Sequence, residues 1–154
     1  MAGDTLLISD GGNFRVRAVA PEAPAPGDVV VTDCADPALA GLTVVTGNLV
    51  VQSVADCGGI SFPNLTQVGG DVTITGNDGA TVIGMARLGS VAGDVTITGN
   101  GSAAEIDLGG LTNVGGAVSL SDNATAAEIT LDGLLSAGEV TVTGNDAATI
   151  VSMA

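Results

Sequence analysis

The 154-residue chain contains no lysine, histidine, tryptophan or tyrosine, and its cations are three arginines, Arg15, Arg17 and Arg87. Set against seventeen acidic residues they leave a formal net charge of -14. A surface of that sign repels nucleic-acid phosphates and anionic lipid headgroups, so neither class of partner is expected. Without His, Lys or Tyr, the usual pairings of a nucleophile with a general base cannot be assembled. Carboxylate pairs remain, and they can hydrolyse glycosides, but Phe14 and Phe62 are the sole aromatic residues from which to build a sugar platform. The chain is therefore read as non-enzymatic, with no cofactor and no catalytic residues. No CxxC motif is present, which removes redox catalysis from consideration. Although 45% of the residues are of hydrophobic type, no run approaches the roughly 18 apolar residues needed to span a bilayer, so membrane insertion is not expected. A basic and then apolar N-terminal segment is also lacking, and any export signal is expected to lie outside this sequence.

What the chain does have is a repeat. VGGDVTITGN at 68–77 returns as VAGDVTITGN at 91–100, VGGAVSLSDN at 114–123 and SAGEVTVTGN at 136–145. The glycine before each strand falls at Gly47, Gly70, Gly93, Gly116 and Gly138, in steps of 23, 23, 23 and 22, and weaker copies begin at Gly27 and Gly3. A fixed period in this range is the signature of a solenoid. Apolar columns hold through the period: Val72, Val95, Val118 and Val140, then Ile74, Ile97, Leu120 and Val142. Further columns are Ile60, Ile83, Ile106, Ile129 and Val151, then Phe62, Met85, Leu108, Leu131 and Met153. Within each strand apolar and polar residues alternate, as they do where one face is buried. The pattern predicts an all-β parallel β-helix, a β-solenoid of six or seven coils with a period near 23 residues. It occupies residues 27–154, preceded by a strand, hairpin or partial coil with a Pro-rich connector at 1–26. Gly76, Gly99 and Gly144 suit corners with positive φ, and Asn77, Asn100, Asn123 and Asn145 are placed to form an internal amide ladder.

The segments LTQVGGDVTITGN and LGSVAGDVTITGN resemble the repeat of the receptor L-domain, the short right-handed β-helix of insulin- and growth-factor-receptor ectodomains and of many microbial surface proteins. The likeness covers roughly residues 27–154 and includes a capping segment, DCADPALAGL, in which Asp36 can N-cap a short helix with Pro37 at its first position. It implies recognition of proteins or glycans at cell surfaces and carries no catalytic residues over. It also implies a disulfide at this end, between Cys34 and Cys57, which lie one coil apart; two buried free thiols are the alternative. Such a bridge would add about 3 kcal/mol and points to an oxidising, extracellular or cell-surface setting. The chain departs from the family in carrying Val and Ala at many Leu positions and in having no Cys-rich flank.

Three further features bear on function. Asp4, Asp28, Asp71 and Asp94 share the position after the coil glycine, with Asn48, Ala117 and Glu139 completing the column. This reads as a solvated acidic edge, with Ca²⁺ binding as the competing possibility and no metal ligand assigned. The outward column Thr73 and Thr75, Thr96 and Thr98, Ser119 and Ser121, Thr141 and Thr143 forms four stacked rungs, a candidate binding face that looks like the ice-binding surface of some antifreeze proteins; outward Thr is also simply favoured on strands. Finally, the last repeat stops short of its period while MAGDTLLISDGGN begins like a coil, so the two ends read as complementary parts of one interrupted repeat. The ends also fit a boundary inside a longer parent protein, and TLLIS and FRVRAV flank a turn-like DGGN that could close a hairpin. The expected function is an extracellular structural subunit that stacks head to tail with itself. Thr5, Leu6, Leu7 and Ile8 are expected to meet Val140, Val142, Ile150 and Met153 of the next copy. An L-domain-like module that binds another surface protein or a glycan, and an ice-binding protein, are the alternatives.

Overall fold

The computed structural model describes residues 6–8, 27–54 and 57–153. Alternation at period two produces strands, and the 23-residue period stacks them in parallel: the chain is an all-β solenoid of about five turns. Three walls run along it. The long wall has seven strands, in the order Leu6–Ile8, Val29–Val31, Leu49–Gln52, Val72–Thr75, Val95–Thr98, Val118–Ser121 and Val140–Thr143. A middle wall of five strands runs from Ile60–Ser61 to Ile150–Met153, and a short wall of four runs from Val44–Val45 to Asn113–Val114. The expectation of six or seven coils matches the strand count of the long wall alone. Its first two strands precede the first turn that has all three walls, so the number of full turns is lower.

The register is one residue per column. Val72, Val95, Val118 and Val140 pair in sequence, as do Ile74, Ile97, Leu120 and Val142. Their inward side chains meet those of the other walls along the axis. Val72, Val95, Val118, Ile83, Ile106, Ile129, Phe62, Met85 and Leu108 are all fully buried, as the apolar columns predict. Each such side chain contributes roughly 1.5–3 kcal/mol on burial, but only once a neighbouring turn covers it, which is why a single turn is not stable alone.

The first turn is closed differently. Between Val29–Val31 and Val44–Val45, where later turns carry a middle-wall strand, the chain forms the 3-10 helix Pro37–Gly41. The Asp36 carboxylate accepts the Ala38 N–H at 2.8 Å, Pro37 stands at the first turn, and Leu39 is buried against the core. Cys34 and Cys57 are disulfide-bonded, with their Cα atoms 5.4 Å apart, and so tie this cap to the next turn. Leu6–Ile8 pairs in parallel with Val29–Val31, Leu6 opposite Val29 and Ile8 opposite Val31. That places it as an additional coil strand of the long wall. The other half of the anticipated hairpin, FRVRAV, lies outside the described residues.

Candidate functional site

Two corner devices link successive turns, and they use the Asn and Asp positions that recur in the repeat. At the first, Gly76, Gly99 and Gly144 adopt φ of 63°, 64° and 63°, as their sequence position predicted. Ser53 and Asp122 hold the same left-handed conformation, at 50° and 56°, without glycine's freedom. Asn77, Asn100 and Asn123 follow, fully buried. The Asn100 carboxamide oxygen accepts the Asn77 backbone N–H at 3.1 Å and the Asn77 Nδ2 at 3.0 Å, while its own Nδ2 donates to the Asn123 oxygen at 3.0 Å and to the Ile74 carbonyl at 3.0 Å. Asn123 repeats the pattern with Asn145. The amide ladder is thus formed as anticipated, and it satisfies polar groups that would otherwise be stranded in the core.

The second device is the Gly-Asp pair. The Asp28 carboxylate accepts the backbone N–H of Asn48, the Asn48 carboxamide oxygen that of Asp71, Asp71 that of Asp94, and Asp94 that of Ala117, each at 2.8–2.9 Å. Every acceptor occupies the space beside the next coil's glycine: a Cβ on Gly47, Gly70, Gly93 or Gly116 would collide with the oxygen of the preceding Asp or Asn. The acidic column is therefore a relay of backbone caps along the edge of the rod, with Asp71 and Asp94 exposed to solvent. Asp4 lies outside the described residues. Among the described residues no group of three or more His, Cys, Asp or Glu is arranged to hold a metal ion.

The proposed binding face lies on the outside of the long wall. Thr73, Thr96, Ser119 and Thr141 share one column, and Thr75, Thr98, Ser121 and Thr143 the next. The rungs continue toward the cap as Val50 and Gln52. No outward residue of this wall from Val30 to Thr143 carries a charge, in a protein of net charge -14. All eight Thr and Ser residues except the exposed Thr143 are half-buried by their neighbours, and the Thr98 and Ser121 hydroxyls are hydrogen-bonded to each other at 2.8 Å. The acidic residues face elsewhere; exposed Glu105 and Glu128, for example, are neighbours on the middle wall.

The poles differ in chemistry. At the capped pole the long wall ends in Leu6–Ile8, and exposed Ala35, Pro37, Ala40 and Gly41 make up the adjoining surface of the cap. At the opposite pole the long wall ends in Val140–Thr143. Val140 is 38% exposed where Val118, one turn back, is fully buried, and Val151 is 40% exposed where Ile129 is fully buried. Leu135 stands 79% exposed beside them, in the column of Thr66 and Thr112, and Val142, Leu134 and Ala137 are only partly buried. Of the expected assembly residues, Val140 and Val142 therefore lie at this pole and Leu6, Leu7 and Ile8 at the other. Ile150 pairs with exposed Glu128, Val151 with Ile129 and Met153 with Leu131, so by register Val151 and Met153 continue the two inward columns of the middle wall. Thr5 is outside the described residues.

No helix among the described residues is long and apolar enough to cross a membrane, and the disulfide is consistent with an oxidising compartment. Compared with protein-family models, curated proteins and solved structures, the chain has no match.

Proposed function

We propose that the protein is a non-enzymatic structural module of the extracellular space whose solenoids stack head to tail. One observation carries this reading: the strands at the two ends of the long wall, Leu6–Ile8 and Val140–Thr143, run in the same direction in a single register, and the core opens to solvent beside the second of them. Two different, mutually compatible ends make a heterologous contact, and such contacts propagate when they do not close into a ring. Exposed strand edges are natural templates for further pairing. Covering Val140, Val151 and Leu135 supplies a part of the roughly 1.5–3 kcal/mol available for each fully buried aliphatic side chain. The acidic charge opposes association, and salt screens it. Sedimentation velocity over a range of protein and salt concentrations tests the reading. The intact chain should form larger species as either rises, and a chain lacking residues 1–26 should remain a monomer that keeps the β-sheet circular dichroism of the remaining walls. An intact chain that stays monomeric at high concentration in 1 M salt refutes it.

A second reading is favoured by the uncharged face of the long wall: an L-domain-like surface module that recognises a neutral partner, such as a glycan or ice, through Thr73, Thr75, Thr96, Thr98 and their neighbours. Replacing Thr73, Thr96 and Thr141 with Lys would abolish such binding and leave assembly intact. Absence of thermal hysteresis in the unmodified protein eliminates its ice-binding form.

A further inference from the structure

The polarity of the backbone hydrogen bonds also specifies how two copies would meet. Along the long wall, the N–H of each first inward residue donates to the carbonyl that precedes its partner in the following turn: Val29 to Asn48, Leu49 to Asp71, Val72 to Asp94, Val95 to Ala117 and Val118 to Glu139, all at 2.7–2.8 Å. Val140 is the next member of this series, and no later turn follows it among the described residues. The strand Leu6–Ile8 is the corresponding element at the other pole, with Leu6 in the column of Val29, Leu49 and Val72.

We infer that the partner at the open pole is the first strand of a second copy of this chain, held in one register: Val140 opposite Leu6, Thr141 opposite Leu7 and Val142 opposite Ile8. This rests on the head-to-tail reading and adds the contact itself. The Val140 N–H continues the donor series into the second copy. That copy's Leu7 donates its N–H to the Val140 carbonyl and accepts the Val142 N–H on its own. The junction is then continuous with the turn-to-turn interface already repeated inside the molecule, and it sets the uncovered Val140 and Val142 against Leu6 and Ile8, as Val118 and Leu120 are set against Val140 and Val142 within the chain. A two-fold, tail-to-tail contact would pair Val140–Thr143 with its own copy antiparallel, and would leave the strand Leu6–Ile8 out of the interface.

The solenoid itself indicates the probe. Cys34 and Cys57, one turn apart, are bridged with Cα atoms 5.4 Å apart, so residues facing each other across adjacent turns are within disulfide reach. In the full chain carrying Leu7→Cys and Thr141→Cys, mild oxidation should give a ladder of covalent multimers on non-reducing gels, absent from either single variant. Leu7→Cys with Thr143→Cys, two residues out of register and about 8 Å apart from the strand spacings, should not link. Amide exchange on the unmodified protein gives an independent reading: the Val140 and Val142 N–H groups should gain protection when salt drives assembly. Assembly by sedimentation without the ladder, or without that protection, overturns the register and leaves the stacking. A covalent dimer from Thr141→Cys alone identifies the tail-to-tail contact and overturns the inference. A monomer under all conditions overturns both.

Discussion

Replacing Asn100 with Ala isolates the contribution of the buried amide ladder. The wild-type side chain is fully buried and makes contacts to the turns on both sides. Truncation strands the Asn77 backbone N–H, whose acceptor is the Asn100 oxygen, and one of the two Asn77 Nδ2 hydrogens; the other keeps the Val51 carbonyl at 3.1 Å. Two buried donors without partners cost about 1–3 kcal/mol each, and loss of the packed volume adds to this, so a destabilisation of about 3–5 kcal/mol is expected. The same substitution at exposed Asn113, whose Nδ2 reaches only the neighbouring Thr112 hydroxyl, should cost no more than about 0.5 kcal/mol. Urea midpoints of both variants against wild type at a fixed pH measure the difference. A shift below about 1 kcal/mol for Asn100→Ala would refute the claim that the ladder is a structural requirement rather than a by-product of the repeat. Asn100→Asp adds a pH test. Desolvation raises the folded-state pKa of the new carboxyl above its unfolded value, so stability relative to wild type should be greatest at low pH and decline as pH rises through that raised value.

Other outcomes follow from the same geometry. Gly93→Ala should destabilise by about 1–3 kcal/mol because its Cβ collides with the Asp71 carboxylate, and should cost measurably less in an Asp71→Ala background; equal costs in a double-mutant cycle would contradict the relay. Asp122→Gly should raise stability by up to about 1 kcal/mol, since residue 122 already holds the conformation of Gly76 and Gly99, and a fall in melting temperature would count against this. Ile106→Asp should cost several kcal/mol through burial of an unpaired carboxylate, against about 1 kcal/mol for Asp107→Thr, which loses the cap of the Gly109 N–H. Removing both cysteines should lower stability by about 3 kcal/mol, as judged by chemical denaturation.

The columns of the core were legible because a buried face imposes period two within strands and the stacking imposes period 23 between them. Both periods are written directly in residues such as Val72, Val95 and Val118. The corner glycines and the Asn ladder were legible for the same reason: each position repeats in chemistry as well as spacing. The Gly-Asp relay was not. Its two partners are 23 residues apart and one of them is a backbone N–H, so the sequence shows a column of charge and leaves its purpose open between solvation and cation binding. The signal that could have found it is the coupling of the two columns, since glycine precedes the acidic position in every turn while its φ in the inner turns needs no glycine. The number of complete turns was overcounted because Leu6–Ile8 and Val29–Val31 carry the long-wall pattern without a full turn behind them. The end of the middle wall was less legible for a related reason: the alternation there has no following turn to show which neighbour continues the core column, and the register, Ile150 opposite Glu128 and Val151 opposite Ile129, supplies it.

The central claim is that copies add along the solenoid axis, and the axial repeat of an assembled specimen tests it most directly. Seven long-wall strands per subunit, each about 4.8 Å from the next, give a subunit repeat of about 34 Å if the junction continues the wall without a gap. Electron microscopy of the intact chain at high salt should show unbranched filaments one solenoid wide with that repeat and a spacing near 4.8 Å along the axis. Particles of a single subunit at every salt concentration, or closed pairs related by a two-fold axis, would contradict the account.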